Sequence, residues 1–554
     1  MDKTDLLFIN ANVLTLDNKN SRAGSLTVLN GQITGIWKTS SPPKGAINVT
    51  EQTNVVDLKG ATLLPGFIDT HNHILMYAMM RGQVNCSTPP HKSINSITMA
   101  IGLKAKETPD GEWIEGYGYD DTLLHEKRHL TREDLDKVSP NNPVIVRHIS
   151  GHLAAVNTLA LQYSGIQEDI SDPRDGHFGR DNNGRLNGVL YEPGAMLPVY
   201  NQIPKKTVEH MIEMVGKASE EYVAQGITTN TDAGVGLFFG SEEVDVHLKA
   251  AEQGVNPLRT RLMIMHQLLR EDATYGGYSQ EQLDQELRVR SRGLARLDSA
   301  KMFQDGSIQG LTGALRKPYY NNPDVYGNLI QDQEPFQEEV LDLHKRGYRI
   351  TTHGNGDRAI GSILDAYGYA LKKSPRIDHR HRIEHVQTAT SEDLSKMKEL
   401  GVAASFFINH VYYWGDRHEQ IFLGPERARR ISPLAEAVEN KILFTLHSDC
   451  PITPISPLFS VWAAVNRITR EGNILGPEQR IDVETALKSM TIYGAKMNFA
   501  EKYSGSLEIG KLADFTVLET DPTTVKPEEI KDISIIATFI DGRPVFGQEV
   551  LMTT

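Results

Sequence analysis

The middle of this 554-residue chain repeats one pattern: a short apolar run, then an amphipathic stretch of helical period. The apolar runs fall at 64–69, 227–231, 261–265, 300–303, 348–352, 381–385, 402–407 and 441–446. Helical periodicity precedes seven of them, at 208–225, 242–253, 280–292, 336–346, 358–372, 391–400 and 433–440. Strands that alternate with helices call for parallel βαβ units, and eight such units close into a (β/α)8 TIM barrel. The interval between the first and second runs is too long for one helix. It predicts an inserted subdomain after the first barrel strand, at about 80–205, carrying Trp113, Tyr117, Tyr119, His148 and His152.

The two ends are written in a different pattern. Short β runs begin at Leu6, Leu26, Ile33 and Val55, with Asn30-Gly31 between the second and third. The C-terminus has matching runs from Asp514 and Ile535, the latter ending at Asp541-Gly542. Asn-Gly and Asp-Gly are hairpin dipeptides because both central residues of a type I′ turn need positive φ. Two β-rich ends around a different middle predict a composite β-sandwich from residues 1–62 and 505–554. The barrel then occupies 63–504.

Composition narrows the function classes. There are 58 basic and 71 acidic residues, a formal charge of −13, which argues against a partner held by phosphate attraction. Only two cysteines occur, Cys86 and Cys450, so neither a disulfide scaffold nor a multi-thiolate zinc site is available. No apolar run approaches the ~18 residues of a membrane span, and the N-terminus lacks a secretory apolar region. These features predict a cytoplasmic protein with a small-molecule substrate, no nucleic-acid partner and no membrane partner. A homodimer is the default assembly by base rate.

Histidine is the most informative residue. In His71-Asn72-His73 the two rings are two apart on a strand and face the same side. Three further strand ends carry His353, His385 and Asp449. The C-terminal ends of barrel strands converge on one mouth, so His71, His73, His353, His385 and Asp449 form a candidate metal set. Lys301, on the fourth strand, is the sixth member. It reads either as a substrate-binding or salt-bridging cation, or as a metal ligand. A buried lysine beside cations has a depressed pKa, and the neutral amine takes up CO2 to give an anionic carbamate that can bridge two ions.

At these residues the chain resembles the metal-dependent amidohydrolase superfamily, in particular the branch that contains N-substituted formamide deformylase. The likeness rests on Leu64-Pro65-Gly66-Phe67-Ile68-Asp69-Thr70-His71-Asn72-His73, on Lys301 through Ser307, and on His353 through Ala359. Arg382-Ile383-Glu384-His385, Ser448-Asp449-Cys450-Pro451 and the stretch from Gly505 to Phe515 complete it. Cys450 departs from the small residue usual at its place. The resemblance implies hydrolysis of a non-peptide C–N bond, in an amide, formamide or cyclic amide, by a metal-bound hydroxide. It implies one or two divalent ions, zinc by preference. His71 and His73 would hold the inner ion, His353 and His385 the outer one, and carboxylated Lys301 the bridge. Asp449 would act as ligand and proton carrier, so Asp449 and Lys301 are the expected catalytic residues.

Two other reactions fit the same scaffold, lactone hydrolysis and deamination of a heterocycle. A non-catalytic scaffold relative is the third reading, but none of the six ligand-type residues is missing. A Ser or Cys nucleophile has no Gly-x-Ser-x-Gly elbow to sit in. Substrate-facing candidates are Tyr119, Asp120, His152, Glu192, His410 and Trp414, the last beside Tyr412 and Tyr413. Asp357 reads as the N-cap of the following helix in preference to a partner of a metal-bound histidine. Asp305 reads as a turn residue or as a support of the site.

Overall fold

The structure, a computed structural model of the chain, describes residues 4–121, 123–149, 153–173 and 176–548. The chain divides into two units, residues 1–77 with 211–554, and residues 78–210. In the first unit eight strands lie side by side in sequence order. They are β1 (Phe67–Asn72), β2 (Ile227–Val235), β3 (Arg259–Met265), β4 (Ala295–Phe303), β5 (Ile350–Gly354), β6 (Arg382–His385), β7 (Ala403–Phe406) and β8 (Phe444–Leu446). Every neighbouring pair is parallel. β8 and β1 meet across the remaining seam, where the Thr70 and Thr445 hydroxyls are 2.7 Å apart and Asp449 N–H donates to the His71 carbonyl at 3.2 Å. The result is an α/β fold around a nearly closed parallel barrel.

Local chemistry explains the alternation. The helix Ser391–Leu400 starts where Thr390 and Asp393 form a capping box and stops at Gly401, whose φ of 71° suits glycine. The helix Asp357–Lys373 buries Ala359, Ile360, Ile363, Leu364, Tyr367 and Ala370, a stripe at helical spacing. Most elements match their sequence reading within a few residues. β4 starts earlier, at Ala295, because the charged Arg296 and Asp298 interrupt the apolar run. Asp298 is nevertheless buried, 2.5 Å from Arg349 and 3.2 Å from Arg382. A strand carries buried charge when each charge has a partner. The helix expected to be capped by Asp357 is corrected: Gly356 is its N-cap and Asp357 the first helical residue. The Asp357 carboxylate accepts from Arg316 N–H at 2.8 Å instead.

Both termini contribute strands to the same unit. One four-stranded sheet runs Gln32–Trp37, Ser25–Leu29, Leu6–Ile9, Asn54–Asp57. A six-stranded sheet runs Arg543–Phe546, Ile535–Ile540, Phe515–Leu518, Thr62–Pro65, Asn12–Leu14, Arg22–Ala23. Phe8 of the first sheet meets Phe515 and Phe539 of the second edge-on, at 5.6 and 5.3 Å, inside a shared apolar core. Asn30 and Gly31 have φ of 52° and 75°, and Asp541 and Gly542 have 52° and 71°, as the hairpin dipeptides require. The unit of residues 78–210 has its own six-stranded sheet and two apolar clusters, one built on Ile97, Ile101 and Val146, the other on Ile145, Leu190 and Met196.

Below β5 and β6 lies a group of neutral histidines. His344 Nδ1 and His381 Nε2 are 2.9 Å apart, and His381 Nδ1 accepts from Ile350 N–H. Burial, with nearby Arg376, pushes the pKa of His344, His379 and His381 down. Their folded pKa lies below the unfolded value near ~6.5, so the unfolded chain binds more protons just below that pH. Their contribution to stability is complete above ~6.5 and is lost as pH falls. The urea midpoint should therefore drop between pH 7.5 and 5, with a shallower drop in His344→Gln; equal slopes in the two proteins would contradict this assignment.

Candidate metal centre

The C-terminal ends of β1, β4, β5, β6 and β8 bring six side chains to one place. His71 and His73 leave the end of β1 on the same side, their rings 5.4 Å apart. Two backbone bonds stitch this end to the segment after β8: Asp449 N–H to the His71 carbonyl, and His73 N–H to the Cys450 carbonyl at 2.7 Å. Asp449 Oδ1 consequently lies 3.3 Å from His71 Nε2 and 3.2 Å from His73 Nε2. These three groups could hold one cation. Gly234 of β2 keeps the wall thin: a Cβ there would stand 3.3 Å from the His73 ring.

His385 and His353 extend the cluster. His385 Nε2 is 3.0 Å from His353 Nδ1, and the His71 and His385 rings are 4.8 Å apart. Strict alternation would send Glu384 and His385 to opposite faces of β6. His385 adopts a φ of 73°, which breaks the alternation and turns both toward the centre. Asp449 has a φ of 53°. Left-handed conformations at non-glycine residues cost roughly 1–2 kcal/mol each, and they gather at functional sites.

Lys301 ends a fully enclosed path along β4, opposite Met265 and Thr351 in register. Its Nζ is buried, has no hydrogen-bond partner among the described residues, and sits 4.8 Å from the centre of the Phe303 ring. Burial pushes its pKa down to about 8, against the pull of Glu384 and Asp449. Asp449 Oδ1 is likewise buried and unbonded. An orphaned amine and an orphaned carboxylate oxygen among imidazoles are costly as they stand. A divalent cation satisfies the whole set, since imidazole and carboxylate are ordinary ligands for zinc-like ions. The donor chemistry therefore fits a metal.

Burial keeps three of the rings in the neutral ligand form, whereas at His71 the Glu384 and Asp449 carboxylates outweigh burial and raise the pKa, so metal binding there displaces a proton. Burial and the Lys301 charge push His353 down to about 3, and burial holds His385 and His447 well below the ordinary imidazole value. Burial alone would push the Asp449 carboxyl up, but His71 and His73 outweigh it and hold the carboxyl well below the usual carboxylate range.

Two members of the site have no role in the sequence reading. His447, two residues before Asp449, packs on His71 at 4.6 Å and lies 3.2 Å from His385 Nδ1. His71, His385 and His447 form a second group able to hold a cation. The His-Ser-Asp spacing repeats the i, i+2 logic of His71 and His73 and was a usable signal. Glu384 is the other. Its Oε2 lies 2.5 Å from His71 Nδ1, while Arg382 Nε donates to Oε1 at 2.5 Å. Glu384 thus fixes His71 with Nδ1 protonated and Nε2 free to bind. Glu384→Gln should weaken metal affinity about 10–100-fold, the usual cost of losing a partner that orients a ligating histidine. Competitive chelator titration measures this, and an unchanged affinity would contradict it.

The remaining candidates are spread out. Asp305 accepts backbone N–H bonds from Ala314, Asn355 and Gly356, tying the loops after β4 and β5 together. His410 and Trp414 lie one turn apart on the helix His410–Arg417 that follows β7, rings 4.4 Å apart. Phe407 stands between His410 and His447, at 4.5 and 5.3 Å. Tyr119, Asp120 and Glu192 belong to the unit of residues 78–210. There Tyr119 is buried with its hydroxyl 3.4 Å from His129 Nδ1, and Glu192 opens a helix with a φ of 64°. His152 lies outside the described residues.

Comparison with known proteins places the fold and the family. The model of the amidohydrolase family matches residues 54–546. N-substituted formamide deformylase of Arthrobacter pascens is 28% identical over 548 residues, covering 97% of each chain. Protein LONG AFTER FAR-RED 3 of Arabidopsis thaliana is 29% identical over 556 residues, 98% of this chain and 91% of that one. Among solved structures, an uncharacterized metal-dependent hydrolase from Pyrococcus horikoshii superposes with a TM-score of 0.74 at 22% identity, over 94% of this chain and 99% of that one. Atrazine chlorohydrolase TrzN from Arthrobacter aurescens, complexed with zinc, reaches 0.51 at 14% identity, over 99% and 98%.

Proposed function

The chain belongs to the amidohydrolase family, and from that premise we propose that it hydrolyses a non-peptide C–N bond of a small molecule, an amide, formamide or cyclic amide, with one or two divalent ions held by His71, His73, Lys301, His353, His385 and Asp449. The observation that carries the reading is the meeting of Asp449 Oδ1 with His71 and His73 Nε2 at 3.3 and 3.2 Å, the carboxylate oxygen itself being buried and unbonded. When bound, a divalent cation lowers the pKa of an attached water from ~15.7 toward ~7 and polarises the scissile carbonyl.

The chain's own groups do the rest. Asp449 is held ionised, so it can accept the proton of the attacking water and return it to the leaving amine. An amine leaves as a neutral molecule only with that proton. Glu384 and Arg382 lock the ring of His71 from below. Lys301, with its amine partly neutral near pH 8, is suited to take up CO2 and become the bridging carbamate. Phe303 beside His353, and Trp414 over the buried Phe407, are half-buried aromatic rings next to the cluster and favour a substrate with an apolar part. Support for a C–N bond over an ester comes from the relative named a formamide deformylase.

The test is a panel of N-formyl amines, N-acyl amino acids, cyclic amides and lactones, offered to protein loaded with zinc, manganese or cobalt. Release of free amine is the expected result. Hydrolysis of lactones alone, or no turnover with any metal, would overturn the reading.

A further inference from the structure

The helix after β7 and the turn that continues it hold a pair of buried histidines outside the metal cluster. His410 Nδ1 and His418 Nε2 are 3.0 Å apart, and both residues are almost wholly enclosed. One proton lies between these nitrogens, and the question is which ring supplies it. The other nitrogen of His418 decides. His418 Nδ1 is buried and has no hydrogen-bond partner among the described residues. A sealed N–H without an acceptor is rarer and costlier than a sealed lone pair. The proton of neutral His418 therefore belongs on Nε2, which donates to His410 Nδ1. His410, with Nδ1 accepting, must then carry its own proton on Nε2.

That nitrogen is placed for a ligand. Among the described residues none is bonded to His410 Nε2, and the atom is not sealed from solvent. The ring stands directly after β7, at the end of the barrel where the ligand-type residues converge. Phe407 packs on one side of it and on His447 and His385 on the other. Asn409, the preceding residue, donates to Thr453 Oγ1 at 2.9 Å and accepts from Ser460 at 3.0 Å, which pins the start of the helix to the segments after β8. Trp414 lies over the ring at 4.4 Å and limits its rotation.

We propose that His418 fixes the tautomer of His410, so that His410 presents Nε2–H as a neutral hydrogen-bond donor to an oxygen of the bound substrate. This rests on the hydrolase reading above and adds a substrate-binding residue, His410, with a positioning residue, His418, behind it. It also adds a requirement on the substrate: an acceptor oxygen within reach of the rim after β7, in a molecule whose apolar part meets Phe407 and Trp414. A neutral donor serves an amide or carboxylate oxygen without adding a further cation beside the metal cluster.

Two measurements test it on the metal-loaded full chain. The first is histidine 15N NMR, with the two rings assigned by their loss in His410→Gln and His418→Gln. Both rings should be neutral and protonated on Nε2; a His410 ring protonated on Nδ1 overturns the proposal whether or not a substrate is known. The second is a kinetic cycle on a substrate found in the amine-release panel. His418→Leu should lower kcat/KM about tenfold, the scale of one hydrogen bond between protein and ligand, with metal content unchanged. His418→Gln, whose amide N–H can replace the donor, should recover most of that loss. In a His410→Leu background the His418→Leu change should cost nothing further, because the two act as one unit. Additive losses, or a glutamine variant as impaired as the leucine one, would overturn the proposal. A wild-type protein that hydrolyses nothing in the panel would sink the hydrolase reading and leave the NMR result standing.

Discussion

His71→Ala should strip the protein of metal and of activity together. His71 is common to the two groups of donors at the barrel mouth able to hold a cation, the one with His73 and Asp449 and the one with His385 and His447. Removing one imidazole opens the coordination shell. It also leaves the Glu384 carboxylate, 2.5 Å from the missing ring, facing an empty space in a buried layer. The loss of metal affinity should exceed the ~10–100-fold typical of a partner that only orients a ligand. Metal analysis after dialysis against a weak chelator reads the first effect, and amine release reads the second. A variant that keeps full metal content and turnover would refute the assignment of the centre. Circular dichroism separates ligand loss from unfolding.

Lys301→Ala should change the stoichiometry of the centre. An ammonium enclosed near His71, His353 and His447 and next to Phe303 has Glu384 and Asp449 as its compensating charges, and Glu384 is already paired with Arg382 and His71. Its reaction with CO2 exchanges that buried cation for an anion, releasing protons and adding two oxygens able to bridge two ions. If the carbamate forms, the alanine variant should bind one ion fewer per chain and lose activity mainly in kcat. Bicarbonate should speed reconstitution of the metal-free wild type, because CO2 is then a reactant. A short carboxylic acid should restore part of the activity of the variant. An unmodified lysine that only binds substrate predicts the opposite pattern: unchanged metal content, and an effect confined to KM.

Much of this architecture was legible in the residues. The barrel showed because each strand is short, apolar and followed by a helix whose buried stripe repeats at the helical period. The end-of-strand histidines showed because period-2 alternation makes His71 and His73 neighbours on one side. The misses have a common physical origin. Glu384 stands next to His385, so simple alternation places the two on opposite faces; only the left-handed backbone at His385 brings both inward, and nothing in the local sequence announces it. Arg296 and Asp298 look like loop residues in isolation, yet they begin β4, because Arg349 and Arg382, distant in sequence, neutralise Asp298. The donor role of His418 depends on an orphaned nitrogen, which is a property of packing and not of spacing. Asp357 looked like a cap because Asn-Gly-Asp opens many helices, but the backbone turns one residue earlier and frees its carboxylate for Arg316.

On the proposed reading, one cluster of histidines, Asp449 and Lys301 holds catalytic metal for C–N bond hydrolysis. The most direct measurement is a titration of metal-free protein with zinc, in bicarbonate buffer, with bound metal and released amine followed in the same sample. Amine release from the best substrate of the panel should be absent at zero metal. It should rise in step with occupancy and level off when the cluster is filled, at one or two ions per chain. Amine release that is full in the metal-free protein, or that stays absent when the cluster is saturated with each of the candidate ions, would contradict the account.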